Sequence, residues 1–204
     1  MSKRRLLIFL KYPTPGQVKT RLASALGDAA AADVYRTCVE STLRKMQCFR
    51  QEAVLWVAQA EALEACQHWL GPEWNFRAQQ GDSLGERLVH ATVQAFSQTA
   101  GPVVVIGTDS PWLSVQTVED AFGFLKQNDV VLGPSEDGGY YLIGLSRNLP
   151  GIFENIAWST ADVYRQTFEN TKRLGLSVES LPVGYDVDTA ADLDRFLSEQ
   201  RRKG

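Results

Sequence analysis

The chain has 204 residues, of which 44% are hydrophobic and 22% charged, and its net charge is −3. This length and composition predict one compact domain spanning residues 1–204 and exclude an intrinsically disordered chain. The acidic balance argues against a nucleic-acid surface, and no apolar run reaches the roughly 18 to 20 residues of a membrane span. Three cysteines without metal-ligand spacing, and an apolar N-terminal run too short for export, predict a cytoplasmic protein.

The first predicted strand, residues 6–10, leads into a loop rich in proline, glycine and cations. Five residues of this loop, which spans residues 11–22, are candidates for binding: Lys11, Pro15, Gly16, Lys19 and Arg21. Backbone N–H groups at the start of a following helix favour anions, and so do nearby Lys and Arg charges. The loop is therefore predicted to bind phosphate, and a solvated basic loop is the alternative.

The next segments alternate between helix and strand, which predicts an α/β fold. A helix over residues 28–46, a strand over 53–58 and a helix over 61–69 precede a short strand over 76–79. Ser83 and Glu86 then have the spacing of a capping box. Gly81 and Gly85 allow a ligand to approach the backbone closely, so this loop is also predicted to border a nucleotide.

A strand of four β-branched residues, 103–106, runs into Gly107-Thr108-Asp109-Ser110-Pro111. Such a run is typical of a parallel strand buried on both faces. Ligands of open α/β sheets bind beyond the carboxyl ends of the strands, so Asp109 is predicted to lie at an active-site edge. The alternative is that Asp109 caps the next helix, but Ser114 is the better placed cap for residues 115–127.

A second glycine-rich motif follows a strand predicted over residues 129–132. Asp137-Gly138 is typical of a tight hairpin turn. Glu136 and Gly139 go beyond what that turn requires, so a wall that faces a ligand is an equally good interpretation. An aromatic strand over residues 140–144 comes next.

The last third of the chain contains a tryptophan and an acidic cluster. Trp158 precedes a helix with Ser159 as its predicted N-cap, and is either a hydrophobic staple or a platform for a ligand. A strand over residues 177–181 then leads to Asp186, Asp188 and Asp192 at the start of a helix over 190–200. These charges repel one another unless a cation or a ligand neutralises them.

Four motifs in this order resemble one family over essentially the whole chain. They are Lys11-Tyr12-Pro13-x-Pro15-Gly16 with Lys19-Thr20-Arg21-Leu22, Gly107-Thr108-Asp109-Ser110-Pro111, Gly133-Pro134-x-x-Asp137-Gly138-Gly139-Tyr140-Tyr141 and Asp186-Val187-Asp188-Thr189-x-x-Asp192-Leu193. Together they resemble the radical-SAM/selenodomain-associated transferases, a branch of the GT-A-type nucleotide-diphospho-sugar transferase superfamily that includes molybdenum-cofactor and phospholactate guanylyltransferases. The resemblance implies a single-domain, three-layer α/β/α sandwich with a mainly parallel mixed sheet.

The resemblance also implies an activity and its residues. Asp109 matches the strand-end metal aspartate and Asp188 a second metal ligand, so both are expected to hold Mg²⁺ or Mn²⁺. Lys19 and Arg21 match the residues on the donor phosphates and, with Asp109, are the expected catalytic residues. The remaining expected contacts are Lys11, Pro15, Gly16, Gly81, Gly85 and Thr108 on the nucleotide side, and Asp137, Gly138, Gly139 and Trp158 on the acceptor side.

The expected reaction transfers a group from a nucleoside triphosphate or a nucleotide sugar to a small-molecule acceptor. The central strand is not followed by Asp-x-Asp, which favours nucleotidyl transfer slightly over glycosyl transfer. A non-catalytic nucleotide-binding module and a nucleotide hydrolase are the alternatives.

Overall fold

Seven strands form one mixed sheet in the computed structural model, which describes residues 4–203 without the side chain of residue 203. The strands are β1 (Arg5–Leu10), β2 (Ala53–Val57), β3 (Asn75–Ala78), β4 (Val103–Ile106), β5 (Val130–Pro134), β6 (Tyr140–Leu145) and β7 (Val178–Ser180). Their order is β3-β2-β1-β4-β6-β5-β7, and only β6 runs antiparallel to its neighbours. The ends of the predicted domain, residues 1–3 and 204, lie outside the described residues.

Helices cover both faces of this sheet. They are α1 (Thr20–Leu26), α2 (Asp28–Lys45), α3 (Leu63–Leu70), α4 (Leu84–Gln98), α5 (Val115–Phe124), α6 (Val163–Arg173) and α7 (Ala190–Lys203). Helices α2, α3 and α5 pack into one apolar cluster, and α4 and α6 into the cluster on the other face. The predicted three-layer α/β/α sandwich with a mainly parallel mixed sheet is confirmed.

The two apolar clusters follow from the alternation of side chains along each strand. In β1, Leu6 and Ile8 belong to one cluster and Leu7 to the other. All four residues of β4 are buried, as the β-branched run predicts. Strands β1 and β4 therefore form the centre of the core, and the loops after them are held by rigid elements.

The order of the strands reverses between β1 and β4, which is where open α/β sheets have a crevice. From β1 the chain builds outward through β2 to β3, and it then returns to β4 on the other side of β1. Ligands of open α/β sheets bind at such a reversal, outside the carboxyl ends of the strands. The loop with Lys19 follows β1 and the turn with Asp109 follows β4, so the topology brings these two residues to the same crevice.

Two local predictions are wrong. The last part of the predicted loop, from Thr20, is the first turn of α1, a seven-residue helix whose one buried residue, Leu22, gives no apolar periodicity to reveal it. Ser159 is not an N-cap, because its φ is 65° and α6 begins only at Val163, with Asp162 as the N-cap residue. The hydroxyl of Thr160 donates to Ala157 O and accepts from Asp162 N, which stabilises an extra turn before the helix.

Two predicted helix caps are confirmed. Ser83 and Glu86 form a reciprocal capping box at the start of α4. The hydroxyl of Ser114 accepts from Thr117 N at 3.1 Å at the start of α5.

The cysteines Cys38, Cys48 and Cys66 are free thiols. Among the described residues, none of the helices combines the length and the apolarity that crossing a membrane would need.

Candidate active site

Three charged side chains from distant parts of the chain meet at the carboxyl edge of β1 and β4. The Nζ atom of Lys19 contacts Oδ1 of Asp109 and lies 2.9 Å from Oδ1 of Asp188. Only 2% of the Lys19 side chain is exposed, against 46% for Asp109 and 34% for Asp188. Two solvent-facing carboxylates thus share one buried ammonium group.

The Lys19 ammonium is held by a special backbone conformation and by its surroundings. Lys19 has φ 48° and ψ 43°, a left-handed conformation that is uncommon outside glycine and is enriched at functional sites. Its Nζ lies 5.8 Å from the centre of the Tyr35 ring. Burial alone would lower the pKa of Lys19, but attraction to Asp109 and Asp188 outweighs it, so the pKa is raised. Lys19 is therefore positively charged at neutral pH.

Asp109 and Asp188 are fixed relative to each other by contacts that do not involve Lys19. The backbone N–H of Val187 donates to Asp109 O at 2.9 Å. The hydroxyl of Ser110 donates to Asp186 Oδ1 at 2.5 Å. These two bonds tie the turn after β4 to the segment before α7.

Trp112 strengthens the same connection. Its Nε1–H donates to Tyr185 O at 2.5 Å, and its ring stacks on Tyr185 with the centroids 5.7 Å apart. The ring also fills the space beside Gly184, where a Cβ atom would come within 2.1 Å of it. The two metal-ligand candidates therefore lie on one packed unit.

The three aspartates of the acidic cluster bind three different partners, which relieves the repulsion that their spacing predicts. Asp188 pairs with Lys19, and Asp192 Oδ2 accepts from the backbone N–H groups of Asp188 and Thr189 at 3.2 and 2.8 Å. The carboxyl of Asp186 binds Ser110. Burial, and then the charge of Asp109, raise the pKa of Asp186 from 3.8 to about 7.

The other predicted cations of the first loop are exposed. Arg21 is 70% exposed, and its Nη1 lies 3.9 Å from Asp188 Oδ2. Lys11 has an exposed side chain, and its backbone N–H donates to the Tyr35 hydroxyl at 2.8 Å. Pro15 and Gly16 are exposed in the same loop, where the φ of Gly16 is 77°. Of the three cations of this loop, Lys19 is thus the buried one.

Three residues predicted on the nucleotide side are engaged within the protein. Thr108 is buried, and its hydroxyl is 3.0 Å from that of Tyr35. Gly81 has φ 126°, and a Cβ atom there would come within 2.6 Å of Glu86. A Cβ atom on Gly85 would lie 2.4 Å from Nε1 of Trp158.

The residues predicted on the acceptor side lie in two neighbouring segments. Asp137 and Gly138 form the turn between β5 and β6, as the hairpin interpretation predicts, with Gly138 N–H donating to Ser135 O at 3.0 Å. Asp137 Oδ1 accepts from Gly139 N at 3.0 Å. Trp158 packs on Gly85, so the acceptor-side and nucleotide-side segments touch each other at this point.

Comparison with known proteins identifies the family. A family described as "Uncharacterized protein conserved in bacteria (DUF2064)" matches residues 42–160, which is more than half of the chain. The chain belongs to this family. The matched region of the DUF2064 protein contains Asp109, while Lys19 and Asp188 lie on either side of it. No curated protein matches the sequence. The resemblance to the radical-SAM/selenodomain-associated transferases stays a prediction as far as that association is concerned.

Solved structures with the same fold include nucleotide-using transferases. A provisionally named nucleotide-diphospho-sugar transferase from Desulfovibrio desulfuricans is 40% identical, with a TM-score of 0.91 over 96% of this chain and 87% of that one. The CMP:2-keto-3-deoxy-manno-octonic acid synthetase complexed with CTP is 12% identical, with a TM-score of 0.62 over 100% of both chains. The Mycobacterium tuberculosis protein Rv0371c, solved with manganese, is 14% identical, with a TM-score of 0.61 over 97% of this chain and 99% of that one.

The carboxylates of the DUF2064 site fit a divalent cation. Mg²⁺ is commonly held by one or two carboxylates together with substrate phosphates and water. Asp109 and Asp188 supply two carboxylates, and both contact one positive charge, the Lys19 ammonium. Within residues 4–203, no group of three or more His, Cys, Asp or Glu side chains is arranged as a metal site. The other ligands of such a cation would therefore come from phosphate and water.

Sequence reasoning missed three residues that build the DUF2064 site. Tyr35 of α2 binds both the first loop and Thr108, Ser110 holds Asp186, and Trp112 holds the backbone before α7. Tyr35 occupies a core position of its helix, and a buried tyrosine there has no local feature that marks a site. Ser110 was within a recognised motif, but its partner is 76 residues away.

Proposed function

We propose that this chain is a divalent-cation-dependent transferase that uses a nucleotide-activated donor and a small-molecule acceptor. The observation that carries the proposal is the pair of Asp109 and Asp188 carboxylates held around one cation at the β1/β4 crevice. The 40% identity to a provisionally named nucleotide-diphospho-sugar transferase supports it.

The proposed roles follow from the position and exposure of each charge. Asp109 and Asp188 would hold Mg²⁺ or Mn²⁺, which when bound stabilises negative charge on phosphate oxygens. Lys19 binds the donor phosphate from the buried side, where its charge acts more strongly than it would in water. Arg21 and Lys11 attract the phosphates from the solvent side. These residues position and stabilise, and the nucleophile is a group of the acceptor itself.

Nucleotidyl transfer is the slightly favoured reaction. In it the acceptor attacks the α-phosphorus and pyrophosphate leaves, whereas in glycosyl transfer it attacks the sugar carbon and a nucleoside diphosphate leaves. Asp186-Val187-Asp188 has the Asp-x-Asp spacing. Of these two aspartates, however, Asp186 binds Ser110 and Asp188 contacts Lys19. The donor would occupy the crevice beside Lys19 and Arg21, and the acceptor the side of Asp137, Gly138, Gly139 and Trp158.

The test is a panel of GTP, CTP, UTP, ATP and UDP- or GDP-sugars, with and without Mg²⁺ or Mn²⁺. Thermal unfolding measures binding, since a ligand at 100 times its Kd adds about 2.7 kcal/mol to the free energy of unfolding. Candidate acceptors are then added to the nucleotides that bind. Release of pyrophosphate indicates nucleotidyl transfer, a nucleoside diphosphate indicates glycosyl transfer, and inorganic phosphate alone indicates a hydrolase.

A pair of matched variants tests the site. Asp109→Asn keeps the shape of the side chain and removes its charge, so we expect cation-dependent nucleotide binding to be lost. Asp120→Asn is the control, because it makes the same change at an exposed position on α5. Equal cation-dependent binding by the two variants would remove Asp109 from the site. Binding without turnover of any donor would favour the non-catalytic module.

A further inference from the structure

The ammonium of Lys19 and the proposed divalent cation compete for the same oxygens. Nζ contacts Oδ1 of Asp109 and Oδ1 of Asp188, the two carboxylates assigned to the cation. The side chain is buried and reaches them from beneath, while both carboxylates remain partly exposed on the solvent side. The protein without ligands therefore already has a positive charge where a second one would enter.

We propose that Lys19 is a resident counter-ion, which weakens binding of a divalent cation alone and moves from the two carboxylates to the donor phosphate when cation and donor arrive together. This inference rests on the proposed function and adds an order of binding to it. It makes the cation and the donor bind cooperatively through the displacement of one side chain.

The charges of the site support this order. The Asp109 and Asp188 carboxylates, the Lys19 ammonium and the Arg21 guanidinium, whose Nη1 lies 3.9 Å from Asp188 Oδ2, leave no net charge, whereas adding a divalent cation would leave +2, with the positive charges only a few ångströms apart. A donor phosphate changes this balance, because it provides Lys19 with a new anionic partner. A phosphate alone is also disfavoured, since the exposed carboxylates repel it while Lys19 stays beneath them.

The contacts of the site indicate that Lys19 is the part that moves. The backbone of Asp109 accepts a hydrogen bond from Val187 N, and the Ser110 hydroxyl donates to Asp186, so the turn after β4 is fixed to the segment before α7. Lys19 immediately precedes α1, its side chain makes no cap bond to that helix, and the ion pairs that hold its ammonium are with the two carboxylates. Its flexible four-carbon stem allows the ammonium to shift without a change in the sheet.

The first test measures Mn²⁺ binding by the electron paramagnetic resonance signal of free Mn²⁺, with no nucleotide present. Lys19→Met replaces the ammonium with an apolar side chain of similar length. We expect this variant to bind Mn²⁺ alone at least tenfold more tightly than the unmodified protein, and to bind nucleoside triphosphates more weakly. Lys126→Met is the matched control, because it removes the same charge from an exposed position in the connection between α5 and β5, at the opposite edge of the sheet.

The second test uses the unmodified protein, so it does not depend on the folding of a variant. The ¹H–¹⁵N signal of the Lys19 ammonium, assigned by its loss in Lys19→Arg or Lys19→Met, is followed by NMR. We expect Mg²⁺ alone at millimolar concentration to leave it unchanged, and Mg²⁺ with the tightest-binding nucleoside triphosphate of the panel to shift it.

The outcomes separate this inference from the proposed function. If Lys19→Met binds Mn²⁺ alone no more tightly than the control, or if Mg²⁺ alone shifts the Lys19 signal as much as Mg²⁺ with nucleotide does, the inference is overturned. The proposed function survives that result as long as the unmodified protein binds a nucleotide in a cation-dependent way. If it binds none of the panel under any condition, both are overturned.

Discussion

Replacing Asp186 with asparagine should make the free energy of unfolding fall less as the pH rises from 5 to 8. The carboxyl of Asp186 has its pKa raised to about 7 by burial and by the charge of Asp109, against 3.8 ordinarily. Between these values the folded state binds more protons than the unfolded state, so the free energy of unfolding falls as the pH rises. Asp186→Asn removes this titration and keeps an oxygen that can accept from Ser110.

The size of the effect follows from the two pKa values. At about 1.36 kcal/mol for each pKa unit, ionising Asp186 lowers the free energy of unfolding by at most about 3 kcal/mol between pH 5 and pH 8. The stability of Asp186→Asn relative to the unmodified protein should increase by up to that amount over this range. Urea denaturation followed by circular dichroism, at pH 5, 6, 7 and 8, measures the difference. Titrating groups that do not interact with Asp186 are shared by both proteins and cancel.

Asp192 provides a control of opposite sign. Burial opposes ionisation of Asp192, but bonds from Thr189 and from the backbone of Asp188 outweigh it and lower the pKa. Its charged form therefore stabilises the fold above the ordinary pKa, and this contribution is lost as the pH falls through the lowered value. Asp192→Asn should be less stable than the unmodified protein at pH 7. The reasoning on Asp186 would be refuted if the difference in free energy of unfolding between Asp186→Asn and the unmodified protein changed by less than about 0.5 kcal/mol from pH 5 to pH 8.

Three further variants test individual contacts. Asp188→Asn should abolish cation-dependent nucleotide binding and lower the free energy of unfolding by about 1 kcal/mol, because the buried ammonium loses one of its two partners; full nucleotide binding in thermal-shift assays would contradict its role. Arg21→Ala should weaken nucleotide binding about fivefold or less and reduce its salt dependence, because the side chain is exposed; titrations at two salt concentrations measure both. Gly85→Ala should cost about 1–3 kcal/mol because its Cβ atom overlaps Trp158, whereas Gly123→Ala, with open space around it, should be neutral or stabilising in a melting experiment.

The sequence was most informative where a pattern is local. Four β-branched residues followed by Gly107 and Asp109 are enough to predict a buried strand and the edge at which it ends. The capping box of Ser83 and Glu86 is visible for the same reason, because its partners are three residues apart. The position of Asp188 came instead from the resemblance of its motif and from its place in an acidic cluster.

The arrangement around Lys19 could not be predicted in this way. Its partner Asp188 is 169 residues away. Its left-handed backbone conformation could not be predicted either, because the residue is a lysine and not a glycine or an asparagine. The loop was expected to direct Lys19 towards phosphate, and this role stays a prediction. The Ser159 cap was wrong because a Thr160 turn competes with it, and such competition between nearby side chains is decided by the packing of the whole segment.

The position of Asp188 has a consequence for how the protein is made. The sequence of the first six strands ends at residue 145. Lys19 and Asp109 have then both been synthesised, but Asp188 and the segment that supports Asp109 are still to come. A product that ends just before residue 188, because of a premature stop codon or a protease, would contain the sequence of all seven strands and lack one of the two carboxylates. Pairing of the Lys19 ammonium with both carboxylates therefore requires translation to continue as far as the segment just before α7.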